Sequence, residues 1–268
     1  MGCKCNKIRA PVTTREAWLL QSSAMPMKGR TVLITGGARR IGRAIALAMA
    51  AAGADVAFTY LSSVDDARQN SADLKARGAR ALALRCDVRD ENSVVGALRQ
   101  LKAKFGGLDV LVNNAGAYDT IDFEQITARQ WDDMFATNTR GPFLMSRLAV
   151  PMLRERKGRI INIASLGGLR PWASHAHYCA SKAALIMLTQ VMAKALAPEI
   201  SVNCVSPGMI STGGSQPTAF LRHVAKKTPM KRAGTPAEVA AAVMFFATGP
   251  HFITGQVLGV DGGLGLES

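Results

Sequence analysis

The chain has 268 residues, 48% of them hydrophobic, enough to bury one large core in a single α/β domain. Its 33 Lys and Arg against 19 Asp and Glu leave a net charge of +14, a field that attracts acidic partners; the cations are dispersed, aromatics are only 6% and no recognition motif appears, which excludes a nucleic-acid-binding module. Five cysteines, three of them (Cys86, Cys179, Cys204) in apolar or helical settings, exclude a disulfide framework, and no apolar run nears the roughly 20 residues of a membrane span, so the expectation is a soluble, cytoplasmic chain with no membrane partner.

Residues 1–27 carry Lys4, Lys7, Arg9 and Arg15, and their one hydrophobic patch, Ala17-Trp18-Leu19-Leu20, is too short for a signal-peptide core. Met1-Gly2-Cys3 has Asn6 where a lipidation start needs Ser or Thr. Cys3 and Cys5 form a lone CxC with no partners at metal-ligand spacing, so no metal site is expected. The stretch is read as a disordered extension, or as the product of a start codon placed too early, with Met25 or Met27 as the cleaner beginning. Residues 28–268 read as one domain. Strand-like apolar runs alternate there with alanine-rich helical stretches, which predicts an α/β fold with a doubly wound parallel sheet of about seven strands and helices on both faces. Strands are expected near 31–35, 54–60, 80–86, 108–112, 159–164, 200–205 and 256–260, and the two most apolar helices near 127–156 and 175–197.

Several motifs sit at the ends of these strands. The first runs into Thr35-Gly36-Gly37-Ala38-Arg39-Arg40-Ile41-Gly42 and then a helix, a glycine-rich turn that lets the backbone approach a pyrophosphate. Asp87-Val88 follows the third strand, and Leu108-Asp109-Val110-Leu111-Val112 ends in Asn113-Asn114-Ala115-Gly116. Asn138 lies in Ala136-Thr137-Asn138-Thr139-Arg140. The run Arg159 to Ala164 ends at Ser165, and a serine at the carboxyl end of such a strand points into the crevice where open α/β sheets bind ligands. Tyr178 and Lys182, four apart on one helix face, place a phenol beside an ammonium. A nearby cation favours phenolate, lowers the tyrosine pKa and makes a general acid usable near neutral pH. Taken alone the pair reads first as a chance surface contact; the surrounding motifs reverse that and favour chemistry. Asp109 reads as a helix-to-strand turn residue, His175 and His177 as pocket-lining or solvent-facing, and Cys179 as packing.

Taken in order and spacing, the Thr35 to Gly42 turn, Asp87-Val88, Asn113-Asn114-Ala115-Gly116, Asn138, Ser165, Tyr178-x-x-x-Lys182 and Ser206-Pro207-Gly208 resemble the short-chain dehydrogenase/reductase family from Lys28 to about Leu266. Within it the chain is most similar to the 3-oxoacyl-[acyl-carrier-protein] reductase subgroup. The resemblance implies a Rossmann-type fold and hydride transfer between nicotinamide and a carbonyl or alcohol. Tyr178 would be the proton donor and Lys182 would lower its pKa and hold the nicotinamide ribose. Ser165 would bond the substrate oxygen, and Asn138 would hold a water leading from Lys182 to solvent. Gly36, Arg39, Arg40 and Ile41, with Asn114, Ala115, Gly116, Pro207, Gly208 and Ile210, would line the cofactor cleft. Asp87 would bond the adenine amino group and Val88 pack on the ring.

Family members that use NAD have an acidic residue at the end of the second strand; that place is Tyr60 here, which permits the 2′-phosphate of NADP. Arg39 supplies the positive partner. Arg40 replaces a glycine usual in the family, either adding charge or occupying a conformation that does not need glycine. Leu61 stands where many NADP-dependent relatives have an arginine, so the phosphate would rely on Arg39, Ser62 and Ser63; the two serines are equally readable as an N-cap for the next helix. NADPH is expected over NADH.

The substrate is read as a small-molecule ketone or alcohol, first of all a 3-oxoacyl thioester, possible carriage on an acidic acyl carrier protein being suggested by the basic surface. Arg154, Arg156, Lys157 and Arg159 could dock such a carrier or simply cap a solvated helix end. Residues 209–230 should form the substrate lid, and Trp172, Met209 and Phe220 either an apolar pocket or core packing. The alternatives are a sugar, polyol, steroid or pteridine-like substrate, or an NADP-binding scaffold without turnover. Apolar stretches from Phe143 to Met152 and Leu185 to Met192 suit a homotetramer or dimer. The motif from Ile253 to Gly263 is expected to be structural.

Overall fold

The computed structural model describes residues 26–212 and 219–266; the extension apart from its last two residues, with Cys3 and Cys5, lies outside them, as do lid residues 213–218. In chain order the elements are β1 (Thr31–Ile34), α1 (Arg40–Ala51), β2 (Asp55–Tyr60), α2 (Val64–Ala76), β3 (Ala81–Arg85), α3 (Glu91–Phe105), β4 (Val110–Asn113), α4 (Ala128–Phe135), α5 (Gly141–Glu155), β5 (Arg159–Ile163), α6 (Ala176–Leu196), β6 (Ser201–Pro207), α7 (Ala219–Lys227), α8 (Pro236–Thr248) and β7 (Val257–Val260). The strands pair in parallel in the order β3-β2-β1-β4-β5-β6-β7.

Alternation along each strand feeds two cores. Val32, Ile34, Val56 and Phe58 face α1, α2 and α8, where Ile45, Met49, Leu74, Val239 and Val243 pack. Leu33, Ala57, Leu111 and Ile160 face the other way, toward Leu101, Met145 and Leu153 of α3 and α5. Burial on both faces is why the strands read as continuous apolar runs. Met27 is buried with the first of these cores, and its N–H donates to Ala52 O at 3.0 Å.

Because strand order reverses between β1 and β4, a crevice opens at their carboxyl ends. Thr35 ties its two sides together: its hydroxyl accepts from the N–H groups of Asn114 and Ala115, both at 2.9 Å. The expected single helix over 127–156 is interrupted. Residues Ala136–Arg140 form one π-helical turn between α4 and α5, a feature that commonly re-aims a side chain at a working site.

Among the described residues α6 alone has the length and apolar composition of a membrane span, which corrects the expectation that no such run exists. It buries Tyr178, Ser181, Lys182 and Thr189 and packs on β5 and β6, the pattern of a core helix.

Candidate active site

One crevice of about 860 Å³ runs along the carboxyl ends of the strands. Gly36, Arg39, Arg40, Ile41, Tyr60, Ser62, Ser63, Asp87, Val88, Asn114, Ala115, Gly116, Pro207, Gly208 and Ile210 line it, together with Ser165, Tyr178 and Lys182. Asn138 sits behind the wall, fully buried.

The glycine-rich turn is shaped for close approach. Gly36 has φ +62°, and a Cβ there would meet Ala115 Cα at 3.0 Å; a Cβ on Gly42 would lie 2.3 Å from Gly36 O. Arg39 sits at the N-cap of α1 with no side-chain cap bond, and the first turn holds no acid, so the helix's positive end is open toward an anion. These features fit a dinucleotide's pyrophosphate. Arg40 has φ +51°, inside the left-handed region that favours glycine. That overturns the alternative in which its conformation does not need glycine; an arginine is held there against a backbone preference. Ser63 occupies the N-cap of α2 without making a cap bond, so its hydroxyl is not spent on the helix.

Asp87 is less available than expected. Arg89 clamps its carboxylate, Nε donating to Oδ1 at 2.9 Å and Nη2 to Oδ2 at 2.8 Å, and this bonding lowers the carboxyl pKa. Arg89 lines the crevice and was missed in the sequence; the signal was a cation two residues after the acid, on the same turn.

At the other end, β5 delivers Ser165, whose Oγ accepts from Gly167 N–H at 3.1 Å. The first turns of α6 bring Tyr178 and Lys182 alongside, as the i, i+4 spacing requires. The expected acidification of Tyr178 is not met by the protein alone. Burial pushes the phenol up to about 12, opposed by its hydrogen bond with Ser165. Lys182 is 6.0 Å from the Tyr178 ring centre, and its Nζ donates to Ile163 O at 2.9 Å. Burial pulls its ammonium down to about 8. Desolvation therefore outweighs the pairing inferred from spacing.

The π turn aims Asn138 inward. Its Oδ1 accepts from Ala117 N–H at 2.8 Å, while Nδ2 donates to Ala117 O and Ser181 Oγ, both at 3.0 Å. A Cβ on Gly116 would stand 3.3 Å from that Oδ1 and 3.5 Å from Lys182 Nζ, so the glycine keeps this corner clear.

Two aromatic residues frame Tyr178: Trp172, nearly parallel at 6.3 Å between ring centres, and Tyr118, edge-on at 4.9 Å. Tyr118 was also missed; it follows the Asn113 to Gly116 motif by two residues, and only folding brings it to α6. Both histidines are buried, which removes the solvent-facing reading. His175 bonds the Tyr118 hydroxyl at 2.7 Å, and the ring nitrogens of His177 have no partner among the described residues. Met209 lines the crevice, and the Phe220 side chain lies outside the described residues.

The basic cluster after α5 is largely engaged internally. Arg156 lies 3.7 Å from buried Asp109, Arg154 lies 3.9 Å from Glu199, and Arg159 donates to Phe246 O at 2.7 Å. Asp109 also accepts from Arg30 and from Thr31 N–H, a structural tie between β1 and β4. Asp261 does similar work near β7, accepting from the N–H groups of Gly263 and Gly265.

The family model described as "Enoyl-(Acyl carrier protein) reductase" matches residues 36–265. The 3-oxoacyl-[acyl-carrier-protein] reductase FabG of Staphylococcus epidermidis is 35% identical over 240 residues, 88% of this chain and 98% of the relative. The 3-oxoacyl-[acyl-carrier-protein] reductase of Synechocystis is 36% identical over 242 residues, 89% of this chain and 98% of the relative. A solved short-chain dehydrogenase/reductase from Serratia marcescens superposes with a TM-score of 0.85 at 36% identity, covering 90% of this chain and 99% of that one. With a Rossmann-like parallel sheet, a crevice lined by a glycine-rich turn and these likenesses over nearly its whole folded length, the chain belongs to the short-chain dehydrogenase/reductase family of NAD(P)-dependent oxidoreductases acting on carbonyl and hydroxyl groups.

Proposed function

We propose that residues 28–268 are one catalytic unit that reduces a ketone to a secondary alcohol with NADPH, 3-oxoacyl thioesters being the substrate class. The observation that carries this reading is the convergence of Ser165, Tyr178 and Lys182 on the crevice that also holds the glycine-rich turn. The nicotinamide cofactor, when bound, supplies the hydride. Arg39, Ser62 and Ser63 suit the 2′-phosphate that distinguishes NADPH, with Tyr60 in place of a repelling carboxylate.

The protein's own residues handle the oxygen and its proton. Ser165 holds the substrate carbonyl oxygen beside Tyr178, a positioning effect. Tyr178, kept as the neutral phenol by its burial, donates its proton as alkoxide character develops; a secondary alkoxide is far more basic than a phenolate of pKa about 12, so transfer runs downhill. Lys182, still cationic at neutral pH with a pKa of about 8, stabilises the phenolate left behind. Asn138 fixes the turn through Ala117, and its remaining Oδ1 lone pair is the acceptor by which it would hold a water for reprotonation. Exposed Phe143, Met187 and Val191 on α5 and α6 suit assembly into a homotetramer or dimer.

The names of the relatives support the thioester class, as does the net charge toward an acidic carrier. NADPH consumption measured across acetoacetyl-thioester, diketone and sugar panels tests the reading. Turnover of the thioester with NADPH well above NADH is expected; turnover confined to sugars would overturn the substrate class, and none on any panel would overturn the reductase reading.

A further inference from the structure

Beside the reacting-oxygen site lies a second polar group that the proton chemistry does not use. Tyr118 lines the crevice next to Trp172 and Tyr178 and is 57% exposed. Its hydroxyl is 2.7 Å from His175 Nε2, and Thr120 Oγ1 is 3.1 Å from the same nitrogen. His175 is itself buried at the start of α6, packed edge-on against Trp172. The two loops are joined a second time by Ile121 N–H donating to Ser174 O at 2.9 Å. Tyr118 is thus anchored at its tip, with its loop tied down three residues on, while its ring stays open to the crevice.

Where the Tyr118 proton goes depends on the imidazole tautomer. A neutral imidazole carries one N–H, and an acceptor nitrogen takes one proton well. Two hydroxyl oxygens crowd Nε2, whereas Nδ1 meets only Ser174 Oγ at 3.4 Å. With the proton on Nδ1 the phenol donates to Nε2; with the proton on Nε2 the imidazole donates to the Tyr118 oxygen and shares with Thr120, and only the second tautomer frees the phenolic proton. In that form Tyr118 accepts from His175 and keeps its own phenolic proton for a group in the crevice.

We propose that Tyr118, set by His175, is a binding subsite for a second substrate oxygen next to the reacting carbonyl, which selects β-dicarbonyl compounds over simple ketones. The proposal rests on the reductase reading and deepens it. A 3-oxoacyl thioester offers such a pair of oxygens, one for Ser165 and Tyr178 and one for Tyr118. A simple ketone has no second oxygen to take this bond, and the exposed phenol stays with water instead, so the preference is the net gain of one hydrogen bond.

The test compares kcat/KM for ethyl acetoacetate and 2-hexanone, neither of which is a thioester, in wild type, Tyr118→Phe, His175→Ala and His175→Gln. Tyr118→Phe and His175→Ala are each expected to lower the dicarbonyl-to-monoketone ratio by roughly three- to tenfold, mainly through KM. His175→Gln, whose amide can donate in the same direction, should restore most of the ratio. Equal losses on both ketones, or an unchanged ratio, would overturn the subsite, as would a wild type that fails on ethyl acetoacetate while reducing 2-hexanone. If acetoacetyl thioesters are refused while ethyl acetoacetate is reduced with the expected ratios, the thioester reading falls and the subsite stands.

Discussion

The two walls of the crevice are built on opposite principles. The wall around β1 and β2 is backbone: Gly36 and Gly42 leave room, the first turn of α1 leaves its N–H groups open, and the charged side chains, Arg39 and Arg40, stand in solvent. The wall around β5 and α6 is side chain. Ser165, Tyr178 and Lys182 are each at most 9% exposed, and burial has pushed the phenol up to about 12 and the ammonium down to about 8. A surface of amides and mobile cations suits binding that must be reversible at every turnover. A buried, prearranged set suits chemistry, where removing water strengthens each charge interaction. Substitutions on the first wall should therefore change affinity by modest factors, and substitutions on the second should change rate by large ones.

The largest effect tests the second wall. Tyr178→Phe removes the donor while keeping the ring that Trp172 and Tyr118 pack against, so kcat for ketone reduction should fall by roughly 10²–10⁴-fold with little change in melting temperature. A loss under tenfold would remove Tyr178 from the proton transfer. Next comes the pH dependence of Lys182. Its folded pKa, about 8, lies below the 10.5 of an unburied lysine. The kcat/KM for NADPH, which reports the free enzyme, should hold below pH 8 and then fall toward tenfold per pH unit as the ammonium is lost. Stability should move the other way. Between pH 8 and 10.5 the unfolded chain binds the proton that the folded chain has released, so the contribution of this group to stability rises with pH. Activity and stability diverging over that window is the signature; both falling together would mean that Lys182 is not the group titrating.

The first wall predicts a smaller, selective effect. Arg39→Ala should weaken NADPH binding about tenfold, close to 1.4 kcal/mol, and leave NADH binding unchanged. Equal loss for both cofactors would move Arg39 from the 2′-phosphate to the shared pyrophosphate.

What could be read from the sequence follows the same division. Motifs fixed by backbone geometry were legible: strand ends, the glycine-rich turn, and the i, i+4 spacing that put Tyr178 and Lys182 on one face. The seven strands fell within a residue or two of their expected bounds, because continuous apolar runs between polar turns leave little choice. What failed depends on distance through the fold. Spacing predicted an acidic Tyr178, yet the sign of its shift is set by how deeply α6 is buried and by Lys182 turning to Ile163 O. Tyr118 and His175 are 57 residues apart and meet only because the loops after β4 and before α6 close on each other. The π turn at Asn138 leaves no mark in hydrophobic periodicity, since five residues are too few to shift the pattern.

The smallest expected effect separates charge from conformation at Arg40. A side chain in the left-handed region costs about 1–2 kcal/mol, and glycine, which adopts it freely, gives back roughly 0.5–1 kcal/mol in chain entropy. Arg40→Gly should thus be stabilising by up to about 1 kcal/mol, a rise of roughly 2–4 °C in melting temperature for a domain of this size. NADPH affinity should fall at the same time, but by less than for Arg39→Ala, because Arg40 is assigned no direct bond to the 2′-phosphate and acts only through a solvent-screened field. A gain in stability paired with a loss in affinity would show that the backbone strain is kept for the positive charge it places at the crevice. A gain with no loss would make Arg40 a bystander on the binding wall, and a drop in melting temperature would mean that its side chain holds the first turn of α1 in place.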